Sequence, residues 1–436
     1  MNLSKTQIII VGAVGLVVLF FILVFLGVIP GLKPSGSGGL NFGPSGADQT
    51  KLNFWGTAEA DSSNSVKRAI EEYSKTNASV QINYRHFDNA EIYEKTLLNA
   101  LATGQGPDVF MFHSGWLSKH YDKAAPAPEP LNLNYVQQVF PDVIKNDFIS
   151  GNSVYALPLY IDTLALIYNK DIFNAKSIAL APKTWTEFES LIPQLRELNI
   201  LNQIIKPAAA IGGSGKSIDT APDLLSLLML QAGSQMVDSQ GQINFSQNGL
   251  SAFNFYIKFA NPSNSYYTWN DNIGNSINIF SQGDLAAIFD YQSSISLIKE
   301  KNPYLNLGVG VMPQSNLEQP VNYSDYWGLA VSRQSKNQVL SWNFAAAVTA
   351  DPKISDAYLQ ASGKPPALRS LIEKYKNDSN LGVFAKQALT AKSWMKPDSE
   401  SVKQIFSNMI ESVLSGKLSS DKALEQAKNQ INALSQ

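Results

Sequence analysis

The segment of residues 154–173 (VYALPLYIDTLALIYNKDIF) constrains the fold more than any other part of the chain. It predicts two short strands separated by the polar turn Tyr160-Ile161-Asp162-Thr163, and the second strand leads directly into a helix. Thr184 and Glu187 then match a capping box, which predicts a helix over residues 185–198. Because the chain crosses between two sheets and carries polar side chains at the crossing, we expect two lobes with a ligand cleft between them.

Length and composition narrow the class of partner. A chain of 436 residues is too long for one ordinary core, so two domains are expected. The formal net charge is -2, whereas nucleic-acid binding needs a basic face that displaces counterions from phosphates. Nucleic acid is therefore not expected as a partner. The absence of cysteine excludes disulfides, thiolate metal sites, cysteine nucleophiles and a cysteine-linked lipid.

The N-terminal region predicts a membrane anchor and a linker. Residues 8–29 form an uninterrupted apolar run of 22 residues, which spans about 33 Å as a helix and can cross a hydrocarbon core of about 30 Å. A signal peptide has a shorter apolar region of about 7–15 residues. We therefore expect a single-pass, uncleaved anchor in the cell membrane, with residues 1–7 in the cytoplasm and the large body on the extracytoplasmic side. Residues 30–50, with six glycines and three prolines, predict a flexible linker.

The body begins with an alternation of strands and helices. Strands are expected over 51–55, 80–84 and 108–112, and helices over 64–75 and 91–102. This order predicts a parallel βαβαβ unit with right-handed crossovers, in which ligands bind outside the carboxyl ends of the strands. The loops 56–59 and 113–116 are therefore candidate ligand loops.

The rest of the body continues the α/β pattern. Helices are expected over 224–231, 250–259 and 338–349 and beyond residue 402, and strands over 285–289, 307–312 and 328–332. The polar turn 290–293 follows one of these strands and is a further candidate ligand loop.

Metal and phosphate sites find little support in the sequence. The histidines His86, His113 and His120 have no third ligand at metal-binding spacing. Residues 212–217 (GGSGKS) lack the spacing of a phosphate-binding loop. We therefore expect no metal ion and no cofactor.

Three carboxylates, Glu59, Asp162 and Asp290, fall on candidate ligand loops. Two carboxylates that flank a glycosidic bond can hydrolyse it, and carboxylates also accept hydrogen bonds from the hydroxyls of a bound sugar. Their simplest role is to cap turns and helices. The residue types alone leave these alternatives open.

Aromatic side chains lie at the ends of predicted strands or beside polar turns, where they can stack on the apolar faces of sugar rings or pack into a lobe core. They are Trp55, Trp116, Tyr160, Tyr291, Tyr326 and Trp327. None of the five arginines falls on a candidate loop. An anionic ligand is usually bound by the paired N–H donors of an arginine guanidinium. A neutral polar ligand is therefore expected.

A set of short motifs occurs in a characteristic order from Lys51 to the C-terminus. They are LNFWG at 52–56, GPDVF at 106–110, LP at 157–158 with YNKDIF at 168–173, PKTW at 182–185, FSQG at 280–283, WGLAVS at 327–332 and LSGK at 414–417. Each motif is weak alone, but in this order they resemble the family 1 extracellular solute-binding proteins of ABC transporters, the class that includes the maltodextrin-binding proteins.

The resemblance implies an α/β fold with two periplasmic-binding-protein-like lobes and a hinge. In this chain we expect that fold to be preceded by one transmembrane helix, the apolar run of residues 8–29. Lobe 1 is expected over residues 51–160 and about 311–350, and lobe 2 over about 161–310 and about 351–436. The lobes of such a receptor close on a solute and deliver it to the permease subunits of an ABC transporter. The transmembrane helix would replace the lipid that family members attach through a cysteine.

The expected function is that of a membrane-anchored receptor, not an enzyme, for a neutral mono- or oligosaccharide. Trp55, Trp116 and Trp327 are expected to stack on the ligand, and Asp162 and Asp290 to bind its hydroxyls. The full set of expected ligand-binding residues is Trp55, Gly56, His113, Ser114, Trp116, Tyr160, Asp162, Asp290, Tyr291, Tyr326 and Trp327. The alternatives are a carbohydrate-active enzyme and a sensory or adhesive binding module on the same scaffold.

Overall fold

Two separate hydrophobic cores organise residues 49–435, the part of the chain that the computed structural model describes. The core of lobe 1 takes its buried side chains from residues 52–161, 326–372 and 385–391. The core of lobe 2 takes them from residues 164–323 and 394–431, together with Phe384. The chain therefore crosses between the lobes near residue 162, near residue 325 and between residues 372 and 394. The sequence had placed these crossings near residues 160, 310 and 350, so the second and third lie later in the chain.

The described secondary structure alternates between strands and helices over most of the chain. The strands are β1 Thr50–Thr57, β2 Val80–Phe87, β3 Val109–His113, β4 Ile149–Ser150, β5 Ser153–Val154, β6 Leu157–Pro158, β7 Asp162–Thr163, β8 Ala165–Asn169, β9 Glu197–Leu198, β10 Ile204–Lys206, β11 Ala287–Asp290, β12 Leu307–Gly310, β13 Asn322–Asp325, β14 Trp327–Val331 and β15 Ala391–Lys392. The helices are α1 Ser65–Ser74, α2 Ala90–Ala102, α3 Leu117–His120, α4 Leu133–Val139, α5 Ile144–Asp147, α6 Lys170–Ala175, α7 Trp185–Leu195, α8 Ala221–Gln231, α9 Ser246–Ile257, α10 Ser276–Gln282, α11 Gln292–Lys301, α12 Gln338–Ala350, α13 Pro352–Ser362, α14 Arg369–Tyr375, α15 Gly382–Ala388, α16 Ser399–Leu414 and α17 Ser420–Ala433.

Lobe 1 is built on a five-stranded sheet with the strand order β2-β1-β3-β14-β6. Strands β1, β2 and β3 run parallel, which confirms the predicted βαβαβ unit. Strand β3 is buried along Val109–Phe112, as expected of a parallel strand covered on both faces. Strand β14 returns antiparallel to β3 and places Trp327 opposite His113. These two side chains therefore meet at the end of β3.

Lobe 2 has a smaller antiparallel sheet with the order β11-β8-β12. Helix α7 begins with the predicted capping box, because the Thr184 hydroxyl accepts from the Glu187 N–H while the Glu187 carboxylate accepts from the Thr184 N–H. The helix ends at Leu195, and Arg196 takes an extended backbone toward the hairpin β9–β10. The apolar helix α8 is buried over most of its length.

A three-stranded sheet of order β15-β13-β7 lies where the chain crosses between the lobes. Strands β7 and β13 pair antiparallel, with Thr163 opposite Ser324 and Asp162 opposite Asp325, and β15 pairs parallel with β13. We call this sheet the hinge sheet. The predicted polar turn 160–163 is wrong for Asp162 and Thr163, because these residues pair as a strand.

The predicted membrane anchor, residues 8–29, and nearly all of the predicted linker lie outside the described residues. Over residues 49–435 no helix combines the length and the hydropathy that a membrane span requires.

Candidate functional site

A polar cavity of about 170 Å³ opens between the two lobes beside the hinge sheet. Lobe 1 lines it with Glu59, His113, Tyr160, Tyr326, Trp327 and Lys364. The hinge sheet and lobe 2 line it with Asp162, Tyr291, Ser293 and Asp325. The cavity therefore combines aromatic rings with three carboxylates and one lysine, a lining that suits a small polar ligand.

Six of the residues predicted from sequence line this cavity, namely His113, Tyr160, Asp162, Tyr291, Tyr326 and Trp327. The other predicted residues, Trp55, Gly56, Ser114, Trp116 and Asp290, do not. Four lining residues, Glu59, Ser293, Asp325 and Lys364, were missed, although Glu59 and Ser293 lie in predicted ligand loops. No local pattern marks Lys364, which follows α13.

Two of the residues that do not line the cavity belong to strand β1. Trp55 lies within the strand, packs on the Phe87 ring at 5.4 Å and carries the Arg85 guanidinium over its own ring at 4.6 Å. Gly56 is close-packed, since a Cβ there would meet Met111 and the Tyr84 hydroxyl at 2.7 Å. Because β1 extends to Thr57, the loop that reaches the cavity begins later than predicted and contributes Glu59.

Trp327 forms one wall of the cavity and also belongs to the core of lobe 1. Its ring packs edge-on against His113 at 4.9 Å and against Trp116 at 5.2 Å. The indole N–H donates to the Glu59 carboxylate at 3.2 Å. Trp116 therefore supports the wall from behind instead of contacting the cavity.

A network of charged groups fixes the Asp325 carboxylate on the floor of the cavity. The Asp325 Oδ1 lies 2.8 Å from His113 Nε2, and its Oδ2 accepts from the Lys403 ammonium at 3.3 Å. Lys403 also lies 3.7 Å from Asp223, which accepts a hydrogen bond from the Tyr291 hydroxyl at 3.0 Å. Burial opposes ionisation of Asp325, but Lys403 and His113 outweigh it and hold the pKa of this carboxyl well below its usual range.

Ser114 supports the same region without lining it. Its hydroxyl accepts from the Tyr326 N–H at 3.3 Å and lies 3.4 Å from the Asp325 carboxylate. The Tyr326 hydroxyl donates to Asp147 at 2.8 Å. Burial raises the pKa of Asp147 to about 7 despite the hydrogen bonds from Ser393 and Tyr326.

Asp162 caps helix α11 from a different element. Its Oδ1 accepts from the N–H groups of Thr163 at 2.9 Å and Gln292 at 3.0 Å, and its Oδ2 accepts from Ser293 at 3.2 Å. Burial raises the pKa of Asp162 to about 6, although Lys364 and these backbone donors oppose the shift. Both carboxylate oxygens are therefore engaged within the protein, and they tie the hinge sheet to lobe 2.

Asp290 ends strand β11 and is buried behind the cavity. Its Oδ1 accepts from the Tyr291 N–H at 2.8 Å and from the Ser294 hydroxyl. Burial raises the pKa of this carboxyl to about 7. The residue therefore shapes the turn that carries Tyr291 and Ser293.

The lobes touch each other at one edge of the cleft. The Lys119 ammonium of lobe 1 lies 2.6 Å from the Asp398 carboxylate of lobe 2. The Ser399 hydroxyl, at the start of α16, donates to the Gly115 carbonyl at 3.2 Å. We call these contacts the interlobe latch. Among residues 49–435 no cluster of side chains has a composition suited to holding a metal ion.

Comparison with known proteins places this arrangement in a family. The sequence model of the family described as bacterial extracellular solute-binding protein matches residues 68–383. The sugar-binding protein MalE from the phytopathogen Xanthomonas citri has a TM-score of 0.74 at 19% identity, over 88% of this chain and 97% of that one. An ABC transporter solute-binding protein from Thermotoga lettingae, bound with alpha-D-tagatose, has a TM-score of 0.67 at 20% identity, over 89% of this chain and 100% of that one.

A curated relative extends the likeness at the sequence level. The galactooligosaccharide-binding protein of Bacillus subtilis is 22% identical over 388 residues, which is 86% of this chain and 88% of the relative. The structural neighbours confirm the predicted α/β fold with two periplasmic-binding-protein-like lobes.

Proposed function

We propose, because this chain belongs to the family of bacterial extracellular solute-binding proteins, that it is a receptor that binds a neutral sugar between its lobes and delivers it to an ABC importer. The family consists of binding proteins, so the predicted resemblance is confirmed and the chain is a binding protein, not an enzyme. Beyond family membership, we propose that the solute is a neutral sugar and that the protein delivers it to permease subunits.

The observation that carries the proposal is the interlobe cavity with the Trp327 wall and its polar floor. Sugar rings offer apolar faces to an indole and hydroxyls to fixed polar groups, and this cavity presents both. Carboxylates outnumber the one lysine among its lining residues, and no arginine lines it. This balance of charge favours a neutral ligand over an anionic one.

The relatives support a sugar as the class of ligand. One is named a sugar-binding protein, one was solved with bound alpha-D-tagatose, and one is named a galactooligosaccharide-binding protein. Because the cavity of this chain lies between two lobes of the same fold, we propose that it also binds a sugar.

We further propose that residues 8–29 hold the protein in the cell membrane and that residues 30–50 act as a linker to the extracytoplasmic body. The apolar length of the first segment and the glycine content of the second support this arrangement. A tethered receptor stays near its transporter, which raises its effective concentration there.

A thermal-shift screen of the full-length protein against sugars and polyols tests the ligand class. A bound ligand stabilises the folded state by RT ln(1 + [L]/Kd), and a receptor of this kind is expected to bind at about micromolar Kd, or about -8 kcal/mol. The proposal fails if no sugar or polyol raises the unfolding temperature.

Membrane fractionation tests the anchor separately. The full-length chain should sediment with membranes and resist extraction by high salt, whereas a chain that lacks residues 8–29 should not. Equal behaviour of the two chains would refute the anchor and leave the ligand proposal intact.

A further inference from the structure

We propose that Lys364 is the specificity-determining donor for a neutral, single-ring sugar, one of whose hydroxyls lies between the Lys364 ammonium and the Glu59 carboxylate. This inference rests on the proposed sugar-binding function and goes beyond it by naming the size of the ligand and the residue that selects it.

Lys364 is a buried cation that has no hydrogen-bonded or ion-paired acceptor among residues 49–435. Only 6% of its surface is exposed, and it lines the cavity. Its ammonium makes no hydrogen bond and no ion pair within that range, and it lies 4.8 Å from the centroid of the Tyr160 ring. An ammonium group has three N–H donors, and burying them without acceptors is costly. A ligand oxygen at this position would remove that cost.

Most other polar groups around the cavity are already engaged. The Asp162 oxygens accept three backbone N–H groups, and the Asp325 oxygens are held by His113 and Lys403. The hydroxyls of Tyr291 and Tyr326 donate to Asp223 and Asp147. These residues therefore position the site.

Two other groups that line the cavity have unused hydrogen-bonding capacity. Tyr160 is a buried residue that lines the cavity, and its hydroxyl has no hydrogen-bond partner within the described part of the chain. Glu59 accepts from Trp327 through Oε2, which leaves its Oε1 free among the same residues. Lys364, Tyr160 and Glu59 thus form a set of open donors and acceptors on one side of the cavity, the lobe 1 side.

The chemistry of this set selects a hydroxyl group. Lys364 can only donate a hydrogen bond, and an ionised Glu59 can only accept one. A hydroxyl does both, so it can bridge the two residues, whereas a ligand carboxylate cannot donate and a ligand ammonium cannot accept. A ligand carboxylate would also add negative charge beside Glu59, Asp162 and Asp325.

The size of the cavity limits the ligand to one sugar ring. Its volume of about 170 Å³ is below the roughly 300–1,000 Å³ of pockets that hold drug-sized ligands. The interlobe latch, through Lys119 and Asp398 at 2.6 Å, closes one edge of the cleft. A chain of several sugar units therefore cannot leave the cavity by that edge in this conformation.

Isothermal titration calorimetry of the full-length protein tests the proposal. The neutral monosaccharide probes are D-glucose, D-galactose, D-mannose, D-fructose and D-tagatose. The comparison probes are maltose, maltotriose, D-glucuronic acid, D-galacturonic acid and D-glucosamine. The variant Lys364→Met keeps the length and apolar stem of the side chain and removes its donors, and Lys67→Met, on the exposed face of α1, is the matched control.

At least one neutral monosaccharide should bind the wild type. Loss of a charged hydrogen-bond donor should weaken that binding about 10- to 100-fold in Lys364→Met, while Lys67→Met stays within twofold. The ligand-free Lys364→Met protein should unfold at the same or a higher urea concentration, because a buried unpaired charge has been removed. A lysine with a purely structural role would give a lower midpoint. Tyr160→Phe, which removes a hydroxyl without a partner, should weaken binding with the midpoint unchanged.

Different failures point to different errors. Unchanged affinity in Lys364→Met would overturn the role of Lys364 and leave sugar binding intact. Tighter binding of a uronic acid or of D-glucosamine than of its neutral parent would overturn the hydroxyl bridge. Binding of maltotriose but of no monosaccharide would overturn the size limit. If no probe binds the wild type, the proposed function itself is refuted together with this inference.

Discussion

Gly115 occupies a position where a single methyl group should interfere with closure of the cleft but not with either lobe. A Cβ at this residue would lie 1.9 Å from Ser399 Oγ and 2.8 Å from Ser399 Cβ, both in the opposite lobe. Its nearest neighbour outside Ser399 would be His113 Nδ1, at 3.3 Å. Gly115 does not have a positive φ, so its backbone conformation is open to alanine. Gly115→Ala is therefore expected to fold normally and to resist closure.

The size of the effect follows from the overlap. Non-bonded carbon atoms prefer about 3.5–4.0 Å, and rotation of the Ser399 side chain can move Oγ but leaves Cβ in place. Overpacking of this kind costs about 1–3 kcal/mol. If ligand binding requires the closed state, a coupling free energy of that size weakens the apparent affinity about 5- to 150-fold.

Calorimetric titration with the best-binding sugar, together with the unfolding temperature of the ligand-free protein, measures this prediction. Gly115→Ala should lower the affinity and leave the unfolding temperature nearly unchanged. Adding Ser399→Gly removes both overlapping atoms, so the double variant should recover most of the affinity. Wild-type affinity in Gly115→Ala, or no recovery in the double variant, would refute the argument that the latch forms when the ligand is bound.

Two further substitutions test the wall of the site and its buried carboxyls. Trp327→Ala should abolish sugar binding and also cost about 3–5 kcal/mol of unfolding free energy, because Trp327 is 4% exposed and lies in the core of lobe 1. An unchanged midpoint of urea unfolding would show that the ring is not part of the core. Asp290 has a folded-state pKa of about 7, raised by burial, and its unfolded value is about 3.9. The folded state therefore binds more protons between these values, so this carboxyl stabilises the protein at low pH and that stabilisation is lost as the pH rises through about 7. Asp290→Asn should become more stable relative to the wild type from about pH 5 to pH 8 in urea titrations, and a constant difference would contradict the assignment.

The parts of the fold that follow local rules were predictable from the sequence. The parallel strands β1–β3 and the capping box at Thr184 depend on short-range patterns, and both are present. The hinge sheet was not predicted, because Asp162 and Thr163 pair with residues near position 325. A pairing over that sequence distance leaves no signal in a local window.

The site shows the same division. His113 and Trp327 were predicted as site residues because they lie at the ends of predicted strands. They meet because β3 and β14 are neighbours. Trp55 does not line the cavity, because β1 runs two residues further than the alternation indicated. Lys364 reaches the cavity from a loop after α13 that has no ligand-binding pattern of its own. Its role depends on tertiary packing that brings Tyr160 beneath its ammonium.

The hinge sheet would also set the axis of any rotation of one lobe relative to the other. Strands β7, β13 and β15 are hydrogen-bonded to one another, so they tie the crossings into a single element. A rotation about such an element displaces each atom in proportion to its distance from the axis. Asp162 and Asp325 lie on the sheet itself and line the cavity, whereas the latch residues lie outside the sheet. If one lobe turns about this sheet, the residues at the cavity therefore move little, and the residues farthest from the sheet move most.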